Sequence, residues 1–386
     1  VIIGGGITGL AIGCMLQEEG IACTIIERAD EVGGLARSYK WSGISFDLGP
    51  HFIFPHSHPE AMDYIKEVLE NKYYVLDYKI GIHFSGRYHS WPPKILKMIT
   101  SFPPGVALHH IFRPFLPGKF IDESFQSCIT VKHGNYLYEN FFSPYIEKKT
   151  CLPGKGVHID WWLRPFSVFR QGNCDFDDPA LKLKVGRFAE IKMLLFKIVT
   201  PGAKVLYPYG GMGTFPDLLS RRFTEAGGTI KTGVKDFSLV AVNGRITEVL
   251  MANEKLKTCE LVWTAPIDIL AKALKLKEPE LIYLPVMLSF VRLKRNAENG
   301  KYLYVYYGDR DVIFNRAYFP SNIHDSFVPK GKGAVCVEIT PREDEVFKDK
   351  SLLREMVARD LEKVGICSAD SVEDMEILTI EKDYPL

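Results

Sequence analysis

Val1-Ile2-Ile3-Gly4-Gly5-Gly6-Ile7-Thr8-Gly9-Leu10-Ala11 opens the chain and decides its fold. Gly4, Gly6 and Gly9 form a G-x-G-x-x-G turn between an apolar strand and an apolar-periodic helix. Backbone N–H groups at a helix start lack partners and welcome an anion, and only glycine lets the backbone come that close. The turn predicts a nucleotide diphosphate site, with Ile7 and Thr8 completing the candidate set. One such loop alone is weak evidence. Here a second apolar strand, Cys23-Thr24-Ile25-Ile26, follows and ends in Glu27 and Arg28. Glu27 stands about 20 residues along, where a carboxylate holds a ribose hydroxyl pair.

Outward from that unit, residues 1–72 read as a nucleotide-binding lobe: strand, glycine turn, helix, strand, Gly-Gly loop, then a helix near Glu60 to Leu69. Between residues 73 and 203 the texture becomes aromatic and proline-rich, alternating with helical stretches, which predicts a mainly helical, substrate-facing part. The first texture returns over 204–275. Gly210-Gly211-Met212-Gly213 leads into a helix from Phe215 to Ala226, and Thr229-Ile230 opens a strand that Gly233-Val234 closes. Gly227-Gly228 reads first as a helix stop. Asn243-Gly244, between Leu239–Val242 and Arg245–Leu250, predicts a β-hairpin with a type I′ turn. Leu261-Val262-Trp263-Thr264 reads as a buried strand ending at Ala265-Pro266. Alternating strands over 276–386 suggest a mixed sheet. The expected fold class is α/β: a Rossmann-like domain with a parallel sheet and a βαβ start, and an α+β substrate domain inserted in two pieces.

The chain has 386 residues and a formal net charge of +1, which gives no electrostatic case for a nucleic-acid partner or an acidic membrane surface. A small molecule is the expected partner, and the oligomeric state is left open. The eight cysteines show no C-x-x-C pair and no metal-ligand spacing, so reduced thiols, no metal and a cytoplasmic location are expected. No apolar run approaches the roughly 20 residues of a membrane span, and no signal peptide precedes the first strand. The chain opens inside that strand, and its first native residues are expected to be missing.

The segment Glu31-Val32-Gly33-Gly34-Leu35-Ala36-Arg37 favours FAD over NAD. Two adjacent glycines can wrap a second backbone surface around a pyrophosphate, and Arg37 can supply a guanidinium fork. The run G-x-G-x-x-G, Glu27, Gly33-Gly34-Leu35 and Arg37 resembles the flavin amine oxidase superfamily, which includes monoamine oxidases, protoporphyrinogen oxidases, phytoene desaturases and UDP-galactopyranose mutases. The resemblance continues in Tyr207-Pro208-Tyr209-Gly210-Gly211-Met212-Gly213, in Val234 and in Thr264-Ala265-Pro266, and it covers nearly the whole chain. It implies that FAD lies extended between the domains. Val234 would supply backbone contacts to adenine, and the segment holding Gly211 and Met212 would pass near the flavin, with Gly34, Leu35 and Ala265 in the same cofactor set.

Several runs look locally closest to the UDP-galactopyranose mutases. Asp47-Leu48-Gly49-Pro50-His51-Phe52-Ile53-Phe54-Pro55-His56 is similar to the stretch that brings a histidine beside the isoalloxazine ring, with His51 at the matching position. Pro50 departs from the family's second glycine, stiffening the turn and removing one N–H donor. His51 therefore has two open readings, a hydrogen-bonded core residue or a flavin neighbour. Asn140 to Lys149 resembles the mutases' segment ending in a lysine near the flavin. Phe314-Asn315-Arg316-Ala317-Tyr318 looks like their strand carrying a diphosphate-clamping arginine. Arg316 is then a candidate clamp, because a planar five-donor fork matches phosphate oxygens; a structural ion pair is its other reading. Arg164 is a second candidate clamp. Tyr302, Tyr304 and Tyr306 share one face of a strand, to line a sugar or uracil pocket or simply to pack the sheet.

Catalysis would fall to the cofactor. As the superfamily implies, the expected enzyme is a FAD-dependent oxidoreductase in which substrate gives hydride to flavin N5. The alternatives are a mutase acting on a UDP-sugar with reduced FAD as nucleophile, and a flavin-binding protein without catalysis. The chain ends at Lys382-Asp383-Tyr384-Pro385-Leu386, near where relatives carry a Tyr-Pro before a further FAD-contacting element, so either the sequence stops short of that element, which is the expectation, or the protein has lost part of its flavin site.

Overall fold

Ile2–Ile3 is a two-residue strand with parallel neighbours on both sides, Val262–Trp263 and Thr24–Ile26, and Thr229–Lys231 completes a four-stranded parallel sheet. Ile2 and Ile25 are fully buried and Ile3 and Ile26 nearly so, as the strands of a parallel sheet covered on both faces must be. On one face lie the helices Ile7–Glu18 and Thr214–Glu225, which bring Leu10, Cys14, Phe215, Leu219 and Phe223 onto Ile2 and Ile25. Gly13 permits this approach, since a Cβ there would stand 2.9 Å from the Phe223 ring. On the other face, Ile3 and Ile26 meet Val249, Phe237 and Trp263. The computed structural model thus has the expected parallel sheet and βαβ start; it describes residues 1–55, 59–91, 102–112, 121–161, 203–298 and 301–385.

The chain divides into two units. The first comprises Val1–Ile53, Glu60–Val75 and Leu206–Ile282; the second comprises Phe54–Pro59, Leu76–Val205 and Tyr283–Leu386. Within the first, Phe237–Val242 pairs antiparallel with Arg245–Met251. Asn243 (φ 51°) and Gly244 (φ 77°) both take the positive φ that a type I′ turn demands.

The second unit holds a seven-stranded sheet in the order Val372–Pro385, Tyr283–Leu293, Gly333–Ile339, Arg316–Tyr318, Tyr304–Tyr307, Ile80–Phe84, Arg87–Trp91. All neighbours are antiparallel except Tyr304–Tyr307 with Ile80–Phe84, so the sheet is mixed as expected. The helix Lys350–Lys363 starts on Asp349, whose carboxylate accepts from the Ser351 and Leu352 amides, and lays Leu353, Val357 and Leu361 on the core of the sheet. The strands Ile80–Phe84 and Arg87–Trp91 were not legible in the sequence. Their run Ile-Gly-Ile-His-Phe is buried throughout and includes a buried histidine, which hides the alternation of a half-buried strand.

Candidate functional site

The glycine turn of the first unit is shaped by backbone contacts that exclude side chains. Gly4 has φ 108°, and its amide donates to the Ile26 carbonyl at 2.9 Å. Thr264 Oγ1 donates to the carbonyls of Ile3 and Gly4. A Cβ on Gly9 would fall 2.0 Å from the Gly4 carbonyl oxygen, so helix and strand meet here only through glycine. Gly6 differs, because a Cβ there would meet nothing within 4 Å. It caps the helix Ile7–Glu18, whose first turn has neither a side-chain cap nor an acidic residue. An open glycine before uncapped helix amides fits an anionic diphosphate.

The other cofactor candidates gather around this turn. Glu27 accepts from the Gly5 amide through Oε2 at 2.7 Å and from the Ala29 amide through Oε1 at 2.8 Å, which fixes its carboxylate at the edge of the loop. The Val234 amide donates to the Glu27 carbonyl at 3.0 Å. The second glycine pair folds onto the first: the Gly33 amide donates to the Gly5 carbonyl at 2.7 Å, and a Cβ on Gly34 would sit 3.3 Å from Gly6 Cα. Arg37 donates through Nε to the Gly34 carbonyl and reaches Glu31 with Nη1 at 3.9 Å. The Ala265 amide lies against Gly4. Ile7 and Pro50 are half-buried, while Thr8, Arg28 and Leu35 are exposed. Gly49 takes φ 131°, and its carbonyl accepts from the half-buried His51 amide at 2.9 Å.

Asp47 is a site residue that the sequence did not announce. It is buried, and it accepts from Ser38 Oγ, the Tyr207 hydroxyl and the Met212 amide, joining Gly211-Met212-Gly213 to the hairpin Ser38–Trp41/Ile44–Asp47. Its only signal was an acid inside an apolar, glycine-bounded run. Burial pushes the carboxyl up to about 6 against the three hydrogen bonds. A carboxyl raised above its unfolded value of 3.8 stabilises the fold below that value and loses the contribution as pH rises through about 6. The loss amounts to roughly 3 kcal/mol. The stability of wild type relative to Asp47→Asn, read by denaturant unfolding, is therefore expected to fall as pH rises through about 6.

In the second unit, Arg316 is not an isolated cation. Its Nε and Nη2 donate to Glu338 Oε1 and Oε2 at 2.8 and 2.7 Å, a two-bond fork on a carboxylate that is 2 % exposed. The ion-pair reading of Arg316 is thus what the geometry displays. The guanidinium also lies 5.9 and 5.8 Å from the ring centres of Tyr304 and Tyr306, within cation–π range. Those two rings meet edge to face at 5.3 Å; Tyr145 packs on Tyr306, and the Tyr78 hydroxyl bonds that of Tyr304. Tyr302 instead belongs to the sheet core and bonds Ser90. Arg164 lies outside the described residues.

The run Asn135–Leu137, Tyr138–Phe142 and Ser143–Thr150 is helical, with a π turn in the middle segment. It delivers Lys148, which is buried and donates from Nζ to the carbonyls of Asp309, Val312 and Phe314. Burial pulls its amine down to about 7, against the opposing pull of Asp309, Asp360 and Asp311. Asp309 also bonds the buried His83 ring at 2.6 Å, and Asp360 accepts from the Ile313 amide. These buried groups fix the loop that leads into the Arg316 strand.

Among the described residues, no acidic, histidine or cysteine group could hold a metal, no disulfide joins two cysteines, and no helix is long and apolar enough to cross a membrane. The model of the NAD(P)-binding Rossmann-like domain matches residues 2–68. Phytoene desaturase (lycopene-forming) of Pseudescherichia vulneris is 24 % identical over 279 residues, 66 % of this chain and 53 % of that protein. The chain therefore spans about half the length of that curated relative. Among solved structures, reduced UDP-galactopyranose mutase superposes on all of this chain and 83 % of its own, with a TM-score of 0.76 at 20 % identity. Putrescine oxidase bound to putrescine covers 97 % of this chain and 83 % of its own, with a TM-score of 0.60 at 12 % identity. Residues 2–68 thus match an NAD(P)-binding Rossmann-like domain, and the chain shares its fold with UDP-galactopyranose mutase and putrescine oxidase.

Proposed function

We propose that this chain binds FAD in its first unit and is an oxidoreductase that takes hydride from a small molecule. The observation that carries this reading is the glycine cradle: the open side of Gly6, the uncapped start of Ile7–Glu18 and the Glu27 carboxylate, with Gly33-Gly34 folded onto the loop. When bound, the flavin supplies a two-electron acceptor at N5. The protein's own part is to hold the diphosphate on backbone amides, to present Glu27 to a ribose hydroxyl pair, and to orient the substrate. The relative acting as a desaturase and the structural neighbour that oxidises putrescine support hydride transfer.

A second reading, a sugar-nucleotide mutase, is favoured by Arg316 and its tyrosines. Phenol hydroxyls suit a hydroxyl-rich ligand. Arg316 adds a planar guanidinium, a group whose geometry matches phosphate oxygens, beside those rings. The likeness to UDP-galactopyranose mutase points the same way.

One experiment separates the two. Under hydride transfer, an amine or a porphyrinogen bleaches the oxidised flavin, and air restores the colour with release of peroxide. Under the mutase reading, UDP-galactopyranose is converted only after dithionite reduction, with no net change in flavin absorbance. Protein that binds FAD and does neither is the non-catalytic flavoprotein.

A further inference from the structure

A single carboxylate ties together two stretches of the first unit that stand far apart in the sequence. Asp47, at the end of the strand Ile44–Asp47, is 2 % exposed. Its Oδ1 accepts from Ser38 Oγ at 2.6 Å and from the Met212 amide at 3.1 Å, while Oδ2 accepts from the Tyr207 hydroxyl at 2.5 Å. Ser38 Oγ accepts in turn from the Gly213 amide at 2.9 Å. The two stretches touch closely enough to demand glycine. A Cβ on Gly211 would lie 2.6 Å from Ser38 Oγ, and one on Gly213 would lie 2.6 Å from the Ser38 amide nitrogen. Ser38 follows Arg37 directly, at the end of the second glycine loop, and Gly213 directly precedes the helix Thr214–Glu225.

A buried carboxylate is costly, and an apolar residue would fill the same space without desolvation. Its presence where three donors converge between two glycine loops points to a task beyond packing. We propose that Asp47 is the positioning residue of the dinucleotide site, holding the Arg37-Ser38 edge and the Gly210–Gly213 loop at the spacing FAD requires. This role rests on the FAD reading above.

The chemistry makes the clamp sensitive to protons. Ionised, Asp47 is a pure acceptor, and its charge-assisted bonds are roughly twice as strong as neutral ones. Protonated, it must donate from one oxygen, and the Tyr207 hydroxyl has to turn round to accept. The carboxyl is raised to about 6 because burial opposes ionisation more than the Ser38, Tyr207 and Met212 hydrogen bonds favour it. The titratable group facing it is Tyr207, held far above its usual range by burial first and by Asp47 second. Ser38 and Met212 bring no titratable side chain, and Arg37 on the same hairpin is directed to Gly34 and Glu31.

Wild type, Asp47→Asn and Ser38→Ala are compared by equilibrium dialysis against FAD from about pH 5 to about pH 8, with thermal unfolding followed in parallel. Wild type is expected to bind FAD about tenfold more weakly at the acid end. Asp47→Asn is expected to bind about tenfold more weakly at neutral pH, to lose the pH dependence of binding, and to stay folded, without the fall in unfolding midpoint that Asp47 ionisation brings to wild type. Ser38→Ala weakens binding but retains the slope. A folded Asp47→Asn that binds FAD as wild type does, with the same pH profile, overturns the role of Asp47 alone. Should that variant not fold, undiminished FAD affinity in Ser38→Ala overturns it. Wild type that binds no FAD at any pH overturns the cofactor reading, and the role of Asp47 with it.

Discussion

Gly9→Ala is expected to destabilise the first unit by more than about 3 kcal/mol and to abolish dinucleotide binding with it. The added Cβ would lie 2.0 Å from the Gly4 carbonyl oxygen, 3.1 Å from the Gly4 carbonyl carbon and 3.1 Å from Thr264 Oγ1. None of these can step aside cheaply. Gly4 is tied to Ile26 through its amide and to Thr264 through its carbonyl, and Thr264 bonds Ile3 as well. The helix Ile7–Glu18 would have to lift from Ile2 and Ile25, opening the core that Leu10 and Cys14 fill. Gly6→Ala is the control. Its backbone, at φ −72°, suits any residue, and its Cβ would meet no protein atom within 4 Å. Stability should therefore move by no more than about 0.5 kcal/mol, whereas FAD affinity falls if the diphosphate lies against that open side. Denaturant unfolding and FAD titration of both variants check this. A Gly6→Ala protein with undiminished affinity would show that the diphosphate does not approach Gly6.

The contrast between these two glycines explains how far the sequence could be read. The turn, Glu27, Gly33-Gly34 and the Asn243-Gly244 hairpin are written in short windows, because strand, turn and helix follow one another directly and glycine is forced by backbone geometry. The elements of the parallel sheet were legible for the same reason. What could not be read are the polar partnerships made by the tertiary fold. Asp47 meets Tyr207 and Met212 across 160 and 165 residues, and His83 meets Asp309 across 226. Lys148 ends on the carbonyls of Asp309, Val312 and Phe314, 161 to 166 residues further along the chain. No local spacing encodes such pairs, and only the register of the sheet brings them together. The tyrosine stripe was half legible. Alternation put Tyr304 and Tyr306 on one face, but nothing in the sequence announced that Tyr302 would turn into the core.

Arg316 and Glu338 give the other large effect, because each single substitution strands a buried charge. Glu338 is 2 % exposed and holds the guanidinium in a two-bond fork, so Arg316→Ala leaves a carboxylate in the sheet without its counter-ion. The expected cost is about 3–5 kcal/mol, read by denaturant unfolding. Glu338→Ala should cost somewhat less, since the Arg316 side chain is 18 % exposed and its guanidinium has two tyrosine faces beside it. Removing both charges with Arg316→Met and Glu338→Leu together should restore most of the stability, because an apolar pair of similar volume escapes the desolvation cost. The double variant then separates structure from ligand recognition. If Arg316 serves only the sheet, the restored protein turns over substrate as wild type does. If Arg316 also grips a diphosphate, the restored protein is stable yet has lost its affinity for UDP, and full UDP affinity in that double variant would remove the mutase reading.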